Sequence, residues 1–251
     1  MIDIHSHILP GLDDGARTPD EALRMIQMAA RAGTADIIAT PHANEQFRFD
    51  EAAAECEVAA LRQASSGTIR IHLGCELHLT PENVADALQF PRRYTLARGS
   101  YLLIEFSNFQ IPKSTGEILS RLMHAGTRPI LAHPERNPIL AARPEMLAEL
   151  VAHGSLVQVT ASSLTGRFGH TAETCASELI RRGMVHFLAS DAHDTQHRPP
   201  LLDEARELLE HHYGSEFANR LLVQNPRAVI EGDPVELKVF PARRKFHFAF
   251  W

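Results

Sequence analysis

Cysteine is scarce and scattered. Cys56, Cys75 and Cys175 lie far apart, form no Cys-x-x-Cys pair and leave one over. A disulfide framework is not expected, and a reducing compartment is. No stretch approaches about 18 uninterrupted apolar residues, so no membrane-spanning helix is expected. The start, Met1-Ile2-Asp3-Ile4-His5, lacks the basic and apolar regions of a signal peptide. Together these absences predict a cytoplasmic protein. Excess positive charge is missing too: the formal net charge is −6. A broad electrostatic hold on nucleic acid is therefore not expected, although a local basic cleft is compatible with it. No Pro/Gly/Ser-rich linker divides the 251 residues, and no short-period repeat is visible. That length fits one barrel-sized domain. With 44% hydrophobic and 22% charged residues, the chain can bury a core and is not globally disordered.

Histidine is plentiful by contrast: 15 residues, against three tyrosines and one tryptophan. Its meaning depends on where the elements end. Short apolar runs predict strands at Met1–Ile4, Asp36–Thr40, Ile69–Leu73, Tyr101–Glu105, Pro129–Ala132, Leu156–Val159 and Val185–Ala189. Helical signals fall between them. Thr18, Pro19 and Glu21 read as a capping box with proline at N1, before a helix that stops at Gly33. A second helix is expected over about Asp50–Ala64, with Ala52, Ala53, Ala59, Ala60 and Leu61 as its packing face. Further helices follow Pro81, follow a second capping box at Ser114 and Glu117, follow Pro144, and span Thr171–Arg182. Two or three more fill about Pro200–Glu231. Alternating strands and helices imply parallel strands with right-handed crossovers. The expected fold is α/β, a seven-stranded barrel in one domain, with an open sheet as the alternative.

Six of the seven expected strands end in a histidine or a carboxylate. His5 and His7 follow the first, His42 the second, Glu76 the third, Glu105 the fourth and His133 the fifth; Asp191 and His193 follow the seventh. In a parallel barrel these ends meet on one face, where such folds place active sites. A His-x-His pair at strand spacing puts both imidazoles on one side. A carboxylate ending a buried strand, as Glu105 does, must be paired, protonated or metal-bound. Singly, each residue has an ordinary explanation as a structural histidine, a turn or a salt bridge. Jointly they predict a polynuclear metal site of imidazole and carboxylate ligands. That ligand set suits Mn, Fe or Zn better than Cu(I), Mg or Ca.

The motifs Met-Ile-Asp-Ile-His-Ser-His (1–7), Leu-Asp-Asp-Gly (12–15), Thr-Pro-His (40–42) and Gly-Cys-Glu-Leu (74–77) open a longer series. Leu-Ile-Glu-Phe-Ser (103–107), Ala-His-Pro-Glu-Arg (132–136), Ser-Asp-Ala-His (190–193), Arg-Pro-Pro (198–200) and Asn-Pro-Arg (225–227) complete it. With them the chain resembles the polymerase-and-histidinol-phosphatase (PHP) superfamily. More narrowly, it resembles the PHP-type protein-tyrosine phosphatases of bacterial capsular and exopolysaccharide systems. The resemblance implies a distorted seven-stranded (β/α) barrel, PHP-type, with three divalent metal ions, manganese first and iron or zinc as alternatives. It implies one ion on His5, His7, Glu76 and Asp191, a second on Glu76, Glu105 and His133, and a third on Asp14, His42 and His193. Arg136 and Arg198 match the arginines that hold substrate phosphate. The implied activity is phosphoric monoester hydrolysis by a metal-bridging hydroxide. The implied substrate is a phosphotyrosine protein, a membrane-associated tyrosine autokinase. A histidinol-phosphate phosphatase or a PHP-type exonuclease is the alternative, and the oligomeric state is left open.

The phosphatase domain is expected over residues 1–237. The basic-aromatic tail, 238–251, lies outside the motifs and reads as an edge strand, a subunit or membrane contact, or a segment folded back. Met25 and Met28 read as gap-fillers, Cys75 as packing, and His211 and His212 as a solvated helix end. His78, His170 and His197 are candidates for the site mouth.

Overall fold

Nine short strands, paired only in parallel, organise residues 1–236, which are the residues the computed structural model describes. The tail at 238–251 lies outside them. The strands are β1 (Ile2–Ser6), β2 (Asp36–Ala39), β3 (His42–Ala43), β4 (Arg70–Leu73), β5 (Glu76–His78), β6 (Tyr101–Glu105), β7 (Arg128–Ala132), β8 (Leu156–Thr160) and β9 (Phe187–Ala189). They form two sheets, of order β1-β2-β4 and β3-β5-β6-β7-β8-β9.

The count differs from the expected seven because two expected strands, now β2 and β4, are each followed by a further short strand, β3 and β5. The breaks fall at Thr40-Pro41 and Gly74-Cys75, side by side. Proline has no N–H for the ladder. Pro41 still accepts from Glu76 N at 3.1 Å, and Gly74 N donates to Ala39 O at 2.8 Å, so the chain paths stay adjacent. The far edges of the two sheets also meet. A parallel bridge joins Ser6 to Ala192. His7 N donates to Ala192 O at 2.8 Å and Asp191 N to His5 O at 2.9 Å. The Asp3 carboxylate accepts from Ser190 N (3.0 Å) and Ser190 Oγ (2.5 Å).

Most strands are apolar on both faces, as parallel strands covered by helices must be. One face supplies a cluster containing Ile4, Ile38, Tyr101, Leu103, Ile130, Leu156 and Phe187. The other packs under helices, with Leu102, Ile104, Leu131, Val157 and Leu188 in a second cluster. The helix Pro19–Arg31 lays Ala22, Met25, Ile26 and Ala29 on β2 and β4. Each fully buried large side chain there stabilises the fold by about 1.5–3 kcal/mol. Thr18 caps this helix, its hydroxyl accepting from Glu21 N at 3.2 Å. Glu21 reaches back to Arg17 N, one residue beyond the expected partner.

Two expectations need correction. The buried face of helix Glu51–Ala64 is Ala54, Val58 and Leu61, not the exposed Ala52, Ala59 and Ala60. Spacing of i, i+4, i+7 selects the larger side chains; alanine count misled. Ser114 makes no capping hydrogen bond and is itself helical in φ and ψ. Thr115 N already bonds Pro112 O at 3.0 Å, so the turn begins before Ser114. Short helices at Pro91–Tyr94, Pro138–Ala142 and Ala161–Leu164 were not expected.

Candidate metal centre

The strand ends bring all nine candidate ligands into four overlapping groups of ligand atoms lying within 4.8 Å of one another. The groups are His7, Asp14, His42 and His193; His5, His7 and Glu76; His5, His133 and Asp191; and His42, Glu76 and Glu105. His5 and His7 project to one side at period two, with Nε2 atoms 3.2 Å apart. Glu105 continues the face of β6 that carries Tyr101 and Leu103. The resemblance-based allocation groups His133 with Glu105; here His133 Nε2 is 2.9 Å from Glu76 Oε1 and 3.9 Å from Glu105.

Glu76 is the hub. Its Oε2 lies 3.2 Å from His5 Nε2, 3.3 Å from His7 Nε2 and 3.0 Å from His42 Nδ1. Asp191 Oδ1 is 3.4 Å from His5 Nε2, and Asp14 Oδ1 bridges His42 (3.3 Å) and His193 (3.4 Å). Three rings are aimed by their other nitrogen. His5 Nδ1–H donates to Gln158 Oε1 at 2.9 Å, His7 Nδ1–H to Asp13 Oδ2 at 2.7 Å, and His193 Nδ1–H to Asp191 O at 3.0 Å. Each bond leaves Nε2 directed into the cluster, the arrangement that fixes tautomer and ring angle in metal sites.

Charges are strongly coupled here. Burial alone would raise the Glu76 carboxyl, but His5 and His42 hold it well below its ordinary value. Burial opposes protonation of His42, yet Glu76 and Asp14 push its pKa up to about 10. His193, desolvated and beside His7, is pushed down to about 4. Burial also opposes ionisation of Asp191, and His5 and Arg198 override it, holding the carboxyl well below its ordinary range. Buried Glu76 Oε2, His42 Nδ1 and His193 Nε2 nonetheless lack a hydrogen bond of good geometry. Imidazoles facing imidazoles around a shared carboxylate, with polar atoms left over, fit divalent cations. Two of the nine residues also sit in left-handed backbone: His133 at φ 30° and Asp191 at φ 52°. Such strain costs about 1–3 kcal/mol per residue and collects at functional sites.

Arg136 and Arg198 converge on the rim. Both donate to Asp191 Oδ2, Arg198 through Nη2 at 2.6 Å. The Phe168 ring centroid lies 4.4 Å from Arg136 Cζ and 6.0 Å from Arg198 Cζ. A groove of about 730 Å³ adjoins the rim at Phe106 and Ser107 and includes His78. His170 and His197 are exposed, each near a carboxylate rather than the cluster. His211 and His212 are exposed as well.

Comparison with known proteins decides the family. The description "Capsular polysaccharide synthesis, CpsB/CapC" matches residues 1–231. The chain belongs to the CpsB/CapC family. It is 34% identical over 256 residues to the tyrosine-protein phosphatase YwqE of Bacillus subtilis, covering all of both chains. It is 30% identical over 240 residues to the tyrosine-protein phosphatase CpsB of Streptococcus agalactiae serotype V, covering 92% of this chain and 98% of that one. A crystal structure from work on B. subtilis YwqE and Streptococcus pneumoniae CpsB, described as metal-dependent tyrosine phosphatases, superposes with a TM-score of 0.88. It is 32% identical and covers 97% of this chain and 100% of that one. A histidinol phosphate phosphatase from Lactococcus lactis shares the fold at TM-score 0.58 and 14% identity, covering 88% and 95%.

This CpsB/CapC member also uses residues that reading the sequence missed. Asp13, not only Asp14, serves the site: besides orienting His7 it accepts from His42 N at 3.1 Å and Gly15 N at 2.9 Å. Adjacent aspartates in one turn take different atoms as partners, Asp13 the His7 ring and His42 N, Asp14 the His42 and His193 rings, which spacing alone does not reveal. Gly15 is required by approach: a Cβ there would lie 2.0 Å from His7 O. Gln158, inside an apolar strand, and Glu135, beside Arg136, carried a signal as buried polar positions.

Proposed function

We propose that this CpsB/CapC member is a metal-dependent protein-tyrosine phosphatase, with residues 1–237 as its catalytic domain. The observation that supports it most is the convergence of the buried imidazole–carboxylate cluster with two arginines at Asp191. His5, His7, Asp14, His42, Glu76, Glu105, His133, Asp191 and His193 would hold divalent ions: three, manganese first, with iron or zinc as alternatives. Bound divalent cations would neutralise the phosphate dianion and supply hydroxide at neutral pH.

The chain's own groups account for the remaining requirements. Arg136 and Arg198 present planar forks to phosphate oxygens. Arg198 Nε is buried and has no partner, so a donor is in reserve. Asp13, Gln158 and the Asp191 carbonyl fix which histidine nitrogens face the reaction. Phenol, with a pKa of about 10, leaves without strong help from a general acid. Cysteine chemistry is disfavoured. Cys75, beside Glu76, is fully buried, and burial together with the Glu76 charge raises its thiol well above the ordinary value. A thiolate nucleophile needs the opposite environment.

The distorted barrel reading rests on the Ser6–Ala192 bridge and the Asp3–Ser190 bonds between sheet edges. The substrate we infer is a bacterial tyrosine autokinase regulating capsular or exopolysaccharide synthesis. This reading places the enzyme in the cytoplasm. Among the described residues, no helix is long and apolar enough to cross a membrane.

The deciding experiment compares hydrolysis of a phosphotyrosine peptide, histidinol phosphate and single-stranded DNA, with and without added Mn²⁺. Metal-dependent preference for the peptide is expected. Preference for histidinol phosphate or DNA would replace this reading.

A further inference from the structure

We propose that Phe168 is a positioning residue for the phosphate-holding arginines, its ring serving as the surface on which both guanidinium groups rest. The proposal depends on the reading above that Arg136 and Arg198 bind phosphate.

Topology makes this position special. Arg136 follows β7 and Arg198 follows β9, while Phe168 lies in the segment after β8, the strand hydrogen-bonded between them. The segment after β8 thus has a neighbour on either side carrying one arginine. The ring is 4.4 Å from Arg136 Cζ and 6.0 Å from Arg198 Cζ, within or at the limit of cation–π range.

The platform is itself held in place. Phe168 lies between Gly166 (φ 79°) and Gly169 (φ 85°), and Gly169 N closes the turn on Gly166 O at 2.9 Å. Arg167 N donates to Ser162 O at 2.9 Å. Upstream, Ser163 Oγ (2.7 Å) and Thr160 N (3.0 Å) donate to Glu135 Oε1. Glu135 is buried and immediately precedes Arg136. One carboxyl group therefore ties the ring's loop to the residue beside the first arginine.

The chemistry explains an aromatic residue here. A carboxylate would hold the arginines by occupying their N–H donors. A ring holds a guanidinium by its plane and leaves the N–H edges free for phosphate. Asp191 Oδ2 is the carboxylate oxygen that both arginines share, and it belongs to the proposed ligand set. The ring is an arginine support that makes no demand on those ligands.

The test uses the full-length, metal-loaded protein and the variants Phe168→Leu and Phe168→Tyr. Metal content, thermal melting, inorganic phosphate affinity by calorimetry, and kcat and KM for p-nitrophenyl phosphate are measured. Phe168→Leu is expected to weaken phosphate binding about three- to tenfold, with KM raised in parallel and metal content unchanged. Phe168→Tyr should restore both to within about twofold. Wild-type phosphate affinity in Phe168→Leu would overturn the proposal. So would equal loss in Phe168→Tyr, or loss of metal in Phe168→Leu. Arg136→Ala and Arg198→Ala separate the two readings: unchanged phosphate affinity in both would remove the arginine reading and this proposal with it. Phosphate affinity that depends on Phe168, in an enzyme that fails on phosphotyrosine, would remove only the substrate reading.

Discussion

The two ends of the same strands treat buried charge in opposite ways. At the start of β2, Asp36 meets a complementary partner. Arg70 donates to its two oxygens at 2.6 and 2.5 Å, and His72 Nε2 lies 3.1 Å away. At the start of β6, Tyr101 Oη donates to Asp233 O at 2.5 Å and accepts from Arg128 Nη1 and Val235 N, each at 3.0 Å. At the far ends, imidazoles crowd one another instead: the His7 ring centroid is 4.0 Å from that of His193 and 4.4 Å from that of His42. The buried atoms left without partners there include the titratable Glu76 Oε2, His42 Nδ1 and His193 Nε2, whereas those just before β2, β6 and β8 are the hydroxyls of Thr34, Ser100 and Ser155. Buried charge is thus common to both ends. What separates structure from chemistry is incomplete pairing of titratable groups.

Breaking the hub should expose that difference most sharply. Glu76→Ala is expected to lose metal and lower kcat by about a thousandfold, since several kcal/mol of charge stabilisation go with it. Metal analysis beside single-turnover assays checks this; full metal content would remove Glu76 from the ligand set. An intermediate effect is expected one layer out. Asp13→Asn keeps the shape but weakens the hold on His7 Nδ1, and should cost about 10–100-fold in metal affinity while retaining activity at saturating metal. Chelator competition measures it, and wild-type affinity would mean that His7 is aimed by packing alone.

The smallest effect belongs to the paired end. Arg70→Ala should leave kcat/KM within about twofold, because an exposed partner contributes little. Its signature lies in acid. Burial alone would raise Asp36, but Arg70 and His72 hold its folded-state pKa below the ordinary 3.8. The stabilisation is therefore complete above that ordinary value and lost as pH falls through the folded one. Arg70→Ala should flatten this acid limb in melts recorded from pH 2 to 6. A steeper limb would reverse the assignment.

How much of this was legible depends on whether a residue's role is set along the chain or across it. His5, His7, Glu105 and His133 were readable because strand period and strand end are local properties. The short strands β3 and β5 beyond Pro41 and Gly74 were not, since each needs the other beside it. Asp13 and Asp14 share one turn, and only the return of that loop onto His7 and His42 assigns them different partners. Phe168 and Glu135 acquire meaning through the order β7-β8-β9, a fact of topology. Ser114 had the right neighbours for a cap and lost it to a turn that Pro112 had already begun.

The left-handed backbone at His133 has a consequence for anyone improving this protein. Glycine at that position would relax the φ of 30°, and a screen for heat resistance run on metal-free protein would favour it where that relief outweighs the lost contact with Glu76. The same exchange would delete an imidazole from the centre. A library ranked by metal-free melting temperature would then drift toward robust, inert molecules at position 133. Ranking by retained activity after heating would keep the histidine and place its improvements at the opposite ends of the strands.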